Sequence, residues 1–223
     1  IHYHATESTN AKIQPEGLLL VDSGGQYLEG TTDITRTFAM GPVTGEEKRH
    51  FTTVLKGNLR LGAVKFKEGC TGENLDMVAR QPLWEEGLDY NHGTGHGIGF
   101  VLNVHEVPAR INWKGRPGYG ENDPFKPGMI VSNEPGFYKE GAHGVRLENL
   151  ILCQVAETTE YGRFLNFETL TIVPFDLDAV DVTLLNSKEK QLLNDYHSRV
   201  YNELSAYMTE EELVWLKTAT RAI

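Results

Sequence analysis

Acids stand at the ends of apolar runs in this chain, where they are least easily tolerated. Asp22 closes GLLLVD, Asp33 lies in TTDITRT, Glu134 ends MIVSNE and Glu148 interrupts GVRLENLIL. A single Asp or Glu is usually a solvated surface group. A carboxylate set into a strand-like run is partly buried, and a buried carboxylate needs cations or hydrogen-bond donors around it. A fifth residue, His96, is flanked by glycines in GTGHGIG. Taken alone it reads as either a loop or a core histidine, and its glycines point to close backbone packing. Oxygen-rich sets with one imidazole suit hard or borderline divalent cations. Four carboxylates are too many for one catalytic ion with open positions. They fit two ions sharing bridging carboxylates, roughly 3.5–4 Å apart.

That requirement constrains the fold. Asp22 and Asp33 are separated by a stretch that spans roughly 36 Å when extended, so both reach one ion pair only if the chain turns back. Gly24, Gly25 and Gly30 supply the turn chemistry. Glu134 and Glu148 repeat the arrangement, with Gly136, Gly141 and Gly144 between them. The expectation is two antiparallel hairpin-like ribbons, each presenting two carboxylates, with His96 arriving from a separate segment. An apolar strand ending in an acid, a glycine-rich turn and a second acid-bearing strand recur at 18–33 and 129–148, a faint internal repeat.

The remaining elements follow from periodicity and punctuation. GLLLVD (17–22) reads as a short buried strand, SGGQYLEG (23–30) as a turn and ITRTF (34–38) as a strand. Thr44 to Glu47 form a capping-box pattern that opens a helix, with Phe51, Val54, Leu55, Leu61 and Val64 recurring to about residue 67. A second helix starts after Thr71 and runs to Gly87, with Pro82 expected to kink or shorten it. Residues 106–128, rich in Pro, Gly and Asn, read as a long surface loop. MIVSNE (129–134), GVRLENLIL (144–152) and ETLTIV (168–173) read as strands. Beyond Pro174, Leu192, Leu193, Tyr196, Val200 and Leu204 form one helical stripe, and Thr209 caps a short last helix. Strand pair, two helices, strand pair and terminal helices indicate an α+β fold rather than a doubly wound parallel sheet.

Composition excludes some partners. The 223 residues suffice for one large domain or two small ones. A formal charge of -10 lacks the basic stripe that phosphate binding needs, so no nucleic-acid partner is expected. No apolar run approaches the roughly 18 residues of a membrane span, so no membrane partner is expected either. Cys70 and Cys153 make neither a disulfide framework nor a zinc cluster. Cys153, in LILCQV, reads as a buried small hydrophobe. This usage fits a reducing compartment, and a cytoplasmic location is expected. The opening IHYHATEST is neither a start methionine nor a signal peptide, so the chain reads as beginning inside a longer protein.

Together DSGGQYLEGTTDITRTF, HGTGHGIGFVLNVHE, SNEPGFY and GVRLEN resemble the motifs of aminopeptidase P (Xaa-Pro aminopeptidase) of the long cytosolic type. That family belongs to the pita-bread metallopeptidases, which include methionine aminopeptidase and prolidase. GHGIG and HEVP alone also fit methionine aminopeptidase; the longer motifs favour aminopeptidase P. The resemblance covers nearly the whole chain, from IHY to LTIVPFDLDAVDV and NDYH. It implies a pita-bread fold, with residues 1–174 as a catalytic domain lacking its first elements. Residues 175–223 are then a C-terminal helical extension packed on, or extending, that domain.

The same resemblance implies that Asp22, Asp33, His96, Glu134 and Glu148 are metal ligands. Asp33 and Glu148 bridge two divalent ions, Asp22 completes one, and His96 and Glu134 complete the other. Carboxylate-rich ligation makes manganese the expected ion, with cobalt or zinc as alternatives. His2, His92 and His105 match substrate-site histidines, and Arg146 and Tyr138 lie behind the ligands or beside the substrate. The implied reaction removes the first residue of peptides with proline second, by attack of a metal-bridging hydroxide. Glu134 shuttles a proton, His105 binds the scissile carbonyl, and His2 and His92 wall the proline pocket. The full-length protein is expected to be a homodimer, and the present fragment to be weakly active or inactive. The alternatives are a prolidase acting on X-Pro dipeptides and a truncated, metal-binding but inactive interaction domain. His4, His50, His143 and His197 read as surface or structural.

Overall fold

The structure, a computed structural model, describes residues 1, 3–101, 103–114 and 123–223. His2 lies outside the described residues, as does much of the segment expected as a long loop. The chain opens with a hairpin of β1 (Leu18–Gln26) and β2 (Thr31–Ala39), followed by α1 (Gly45–Gly62), β3 (Lys65–Lys67) and α2 (Gly72–Trp84). Among the described residues, seven further strands follow: β4 (Gly95–Ile98), β5 (His105–Ile111), β6 (Ile130–Asn133), β7 (Gly136–Lys139), β8 (His143–Arg146), β9 (Asn149–Thr159) and β10 (Gly162–Thr169). The chain ends in α3 (Ser187–Leu204) and α4 (Glu210–Ala219), with short 3-10 turns before and between them. The long sheet has the order β3-β10-β9-β6-β4-β5, and every neighbouring pair is antiparallel. The α+β expectation holds.

Both ribbons are present. In the first, Asp22 pairs with Thr35 and Gly24 with Asp33, so both acids fall on one face of the hairpin. The second is split between two sheets but keeps one register, from Ile130 opposite Leu152 to Lys139 opposite His143. In that register Glu134 and Glu148 stand opposite one another where the ladder is interrupted. Like charges placed so are destabilising in an ordinary sheet, which marks the break as a site.

Several sequence expectations are corrected. β1 runs on through Ser23–Gln26, because the β-branched Ile34, Thr32 and Thr31 of β2 pair with Ser23, Gly25 and Gln26, and the turn contracts to Tyr27–Gly30. The strand is half-buried to exposed rather than buried, since a two-stranded sheet has little to cover it. Residues 106–111, read as loop, belong to edge strand β5. Its register with β4 shifts between His96 and Gly97, and a bulged edge accommodates a proline-bearing segment. α1 stops at Gly62 because Lys65–Lys67 pairs with β10. The last long strand is Gly162–Thr169, and 170–173 leave the sheet. The short strands β3 and β4 were not anticipated. Pro82 is accommodated inside α2, which ends two residues later.

Capping boxes at Thr44, Asn186 and Thr209 fix the starts of α1, α3 and α4. Two apolar clusters follow. One joins α2 and the last turn of α1 to the long sheet through Leu61, Leu75, Ala79, Ile111, Val131, Ile151, Cys153 and Leu165. The other joins Phe51, Val54 and Leu55 of α1 to Val145 and Leu147, and to Phe175, Leu177, Val180 and Leu193. Residues beyond 174 therefore share a core with the first half of the chain. Among the described residues, no helix is long and apolar enough to cross a membrane.

Candidate metal centre

Glycine explains how His96 enters the site. A Cβ on Gly95 would lie 2.0 Å from the Ser132 carbonyl oxygen, and one on Gly97 would lie 2.5 Å from that of Glu106. Only glycine lets β4 sit this close to β6 and β5 while His96 projects between them. The His96 Nδ1–H donates to the Gly97 carbonyl at 3.0 Å, which turns Nε2 towards the acids. Nε2 lies 3.4 Å from Asp33 Oδ2 and 3.4 Å from Glu134 Oε1. Ligand atoms of Asp33, His96 and Glu148 all fall within 4.8 Å of one another.

Donors hold the acids in place. The Thr35 hydroxyl donates to Glu148 Oε2 at 2.7 Å. The Ser132 hydroxyl donates to Glu134 Oε1 at 3.1 Å and accepts from the His96 backbone N–H at 2.9 Å. Asp22 stands at the rim, with about half of its side chain exposed. Its Oδ2 accepts from Arg146 Nη2 at 2.7 Å. Arg146 also donates to the Tyr138 hydroxyl at 2.9 Å and to Thr35 Oγ1 at 3.2 Å. The Tyr138 hydroxyl in turn donates to His92 Nε2 at 2.8 Å, because His92 Nδ1–H is committed to the Gly93 carbonyl. The His105 ring meets the His96 ring edge-on, with centroids 4.3 Å apart.

Burial pushes the Glu134 carboxyl up to about 7, against the pull of His96 and Arg146. Burial, followed by the neighbouring charges of Glu134 and Asp33, holds Glu148 well above the usual carboxylate range. Burial alone would lower the His96 imidazole, but Asp33 and Glu134 outweigh it and hold the ring above its ordinary value. Acids clustered and desolvated in this way favour a cation among them. An imidazole lone pair and convergent carboxylate oxygens fit a hard or borderline divalent cation, so the donor set passes the chemical test.

These groups line a cavity of about 700 Å³, together with Asp22, His92, His105, Arg110 and Arg146. Exposed His4, expected at the surface, lies on its rim. His50 and His143 pair at 2.8 Å against Phe137, in keeping with a structural role. His2 cannot be placed among these groups, since it is outside the described residues.

Several supporting residues were missed from sequence. Asp76 and Arg80 are buried and paired at 2.7 Å on α2. Arg80 Nη2 donates to the His92 carbonyl at 2.6 Å. Asp76 accepts from the Thr94 hydroxyl, and the Thr94 carbonyl accepts from the Glu134 backbone N–H at 2.8 Å. The i,i+4 acid–arginine spacing on a helix was the available signal, although it usually marks a surface pair. Thr35 and Ser132 gave no signal until the strand register was known.

Comparison with known proteins agrees with this geometry. Residues 1–154 match the metallopeptidase family M24, and residues 163–223 match the C-terminal region of peptidase M24. The chain is 46% identical over 228 residues to the Probable Xaa-Pro aminopeptidase P of Arthroderma gypseum, covering all of this chain and 35% of that one. It is 45% identical over 227 residues to Aminopeptidase P1 of Lotus japonicus, covering 34% of it. It therefore spans about a third of the length of these curated relatives. An X-prolyl aminopeptidase from Caenorhabditis elegans, described as a cytosolic enzyme with a di-nuclear active site, superposes with a TM-score of 0.91 at 39% identity. The match covers all of this chain and 36% of that one. The prolidase from Pyrococcus furiosus superposes over 69% of this chain, with a TM-score of 0.57 at 30% identity, covering 41% of that chain. The fold is the pita-bread fold of these metallopeptidases, and the chain belongs to metallopeptidase family M24.

Proposed function

We propose that the protein containing this chain is an Xaa-Pro aminopeptidase with two divalent ions, and that Asp22, Asp33, His96, Glu134 and Glu148 hold them. The observation that carries this reading is the convergence of Asp33, His96, Glu134 and Glu148 from two antiparallel ribbons and a separate strand into one cavity. Manganese suits the carboxylate-rich set. Bound ions would supply Lewis acidity towards the scissile carbonyl and an activated water at neutral pH.

The rest of the chemistry belongs to the side chains. The nitrogen of an X-Pro bond is tertiary and carries no hydrogen, so the leaving proline must receive a proton. Glu134 faces His96 inside the cavity, where its carboxylate is placed to take a proton and deliver it. His105 lies beside His96 at the cavity wall, within reach of the scissile carbonyl or its developing oxyanion. The bonded series Asp22–Arg146–Tyr138–His92 fixes a ligand and a pocket wall together. His2 completes that wall in this reading. Residues 1–174 form the catalytic domain, and 175–223 a helical extension sharing its core. A cytoplasmic homodimer is proposed, the location supported by the description of the Caenorhabditis elegans neighbour.

The likeness to the Pyrococcus furiosus prolidase favours one second reading, a dipeptidase. The test is to give the manganese-loaded, full-length protein X-Pro-Pro, X-Pro and X-Ala-Pro peptides. Release of the first residue from X-Pro-Pro, with X-Ala-Pro left intact, is expected. Cleavage confined to the X-Pro dipeptide assigns prolidase activity instead.

A further inference from the structure

Arg36 is 3% exposed, yet none of its hydrogen-bond acceptors among the described residues is a carboxylate. Its Nε donates to the Pro174 carbonyl at 3.1 Å. Nη1 donates to the carbonyls of Thr35 at 3.0 Å and Glu148 at 2.6 Å. Nη2 donates to Asn149 Oδ1 at 2.7 Å, to the Val173 carbonyl at 2.7 Å and to the Tyr196 hydroxyl at 3.0 Å. The guanidinium carbon lies 4.2 Å from the centroid of the Phe175 ring. A cation buried without a paired anion is costly, so a residue placed this way calls for a reason.

The acceptors supply the reason. They come from β2, from the junction of β8 and β9, from the link after β10, and from α3. Glu148 sits at a gap in the ladder, since β8 ends at Arg146 and β9 begins at Asn149. On one side of this gap its backbone N–H donates to the Thr35 carbonyl at 3.0 Å, and its side chain accepts from the Thr35 hydroxyl at 2.7 Å. On the other side, Arg36 Nη1 gathers the carbonyls of both residues. Alternation along β2 sends Asp33 and Thr35 to the cavity face and Arg36 to the opposite face, where Val173, Phe175 and Tyr196 meet it. A planar fork with donors in fixed directions does this; an ammonium on a flexible stem does not.

We infer that Arg36 is a positioning residue for Glu148, and that through it the C-terminal segment from Val173 to Tyr196 sets the geometry of the metal centre. This rests on the reading of Glu148 as a metal ligand. The guanidinium substitutes for the missing ladder bonds, and its buried positive charge lies behind a cluster of acids that repel one another. Tyr196 locks the fork from the far side. Its hydroxyl accepts from Arg36 and donates to the Val173 carbonyl at 2.7 Å.

The test uses the full-length protein with Arg36→Lys, which keeps the charge and loses the fork, and with Tyr196→Phe, which removes one partner of Arg36 whose hydroxyl bonds to none of the five proposed ligands. Mn2+ affinity is measured by calorimetry, and the visible spectrum of the Co2+-loaded protein reports ligand geometry. Arg36→Lys is expected to weaken Mn2+ binding by roughly 10- to 100-fold, and Tyr196→Phe by roughly three- to tenfold. Both should alter the Co2+ spectrum, and the loss on X-Pro-Pro should fall in kcat with KM little changed. If Arg36→Lys fails to fold, Tyr196→Phe decides alone. Unaltered Mn2+ affinity and an unaltered Co2+ spectrum in a variant of lowered melting temperature overturn the inference and leave Arg36 as packing. Failure of the unaltered protein to bind Mn2+ overturns the inference together with the reading it rests on.

Discussion

Glu134 shows how far a single side chain carries the account. It is partly buried, faces His96 at 3.4 Å and stands opposite Glu148 in the ribbon. Replacing it by Gln keeps the shape and removes the titrating oxygen. Glu134→Gln in the full-length protein should lower kcat on X-Pro-Pro by about 10²–10⁴-fold, and retained activity would assign the proton transfer elsewhere. Its protonation also has a thermodynamic signature. With a folded value of about 7 and an unfolded value near 4.5, the metal-free native state holds a proton that the unfolded chain releases. Stability then falls as pH rises through that window. A divalent cation displaces the proton, so Mn2+ should raise the melting temperature more at pH 7.5 than at pH 5, and equal gains at both would contradict this. At this scale the sequence was informative where a residue was out of place, as an acid is at the end of an apolar run. Thr35, Ser132 and Arg36 are ordinary in any strand. They acquire a role only through the register that brings them to Glu148 and Glu134.

The informative elements are the two ribbons and the strand between them. The ribbons were legible because carboxylates that must meet force the chain to reverse, and glycines show where. β4 was not, because GHGI has low strand propensity; tertiary packing makes it a strand, with glycine backbone set against β5 and β6. Gly95→Ala tests this. The added methyl would clash with the Ser132 carbonyl oxygen, a backbone atom that cannot turn aside. The cost should be about 1–3 kcal/mol, read by urea unfolding, with weakened Mn2+ binding as His96 shifts. A variant of unchanged stability would mean that β4 and β6 do not approach so closely. The bulged edge strand β5 was hidden by its proline, since sequence reading demotes a run that carries one.

Over the whole molecule, the α+β class was readable from element order, whereas the joining of the C-terminal helices to the main core was not. Amphipathic stripes say that a helix packs but not against what. His197 on α3 records that packing. It is fully buried and accepts from the Phe175 backbone N–H at 3.0 Å. Burial, then Arg36 and Arg221, lowers its imidazole to about 4. The unfolded chain therefore binds a proton that the native state refuses. The resulting loss of stability grows as pH falls from about 6.5 towards 4, to on the order of 2–3 kcal/mol. This slope opposes that of Glu134, so it is read as the difference between the unaltered protein and His197→Gln. The variant should lose less stability on acidification, and identical pH profiles would contradict the burial of a neutral ring. Two ions shared among five ligands should together cleave an X-Pro bond, which is measured by titrating metal-free, full-length protein with Mn2+ while following release of the first residue from an X-Pro-Pro peptide. Activity should rise from none and saturate at two ions per chain. Saturation at one ion, or cleavage that is indifferent to metal, would contradict it.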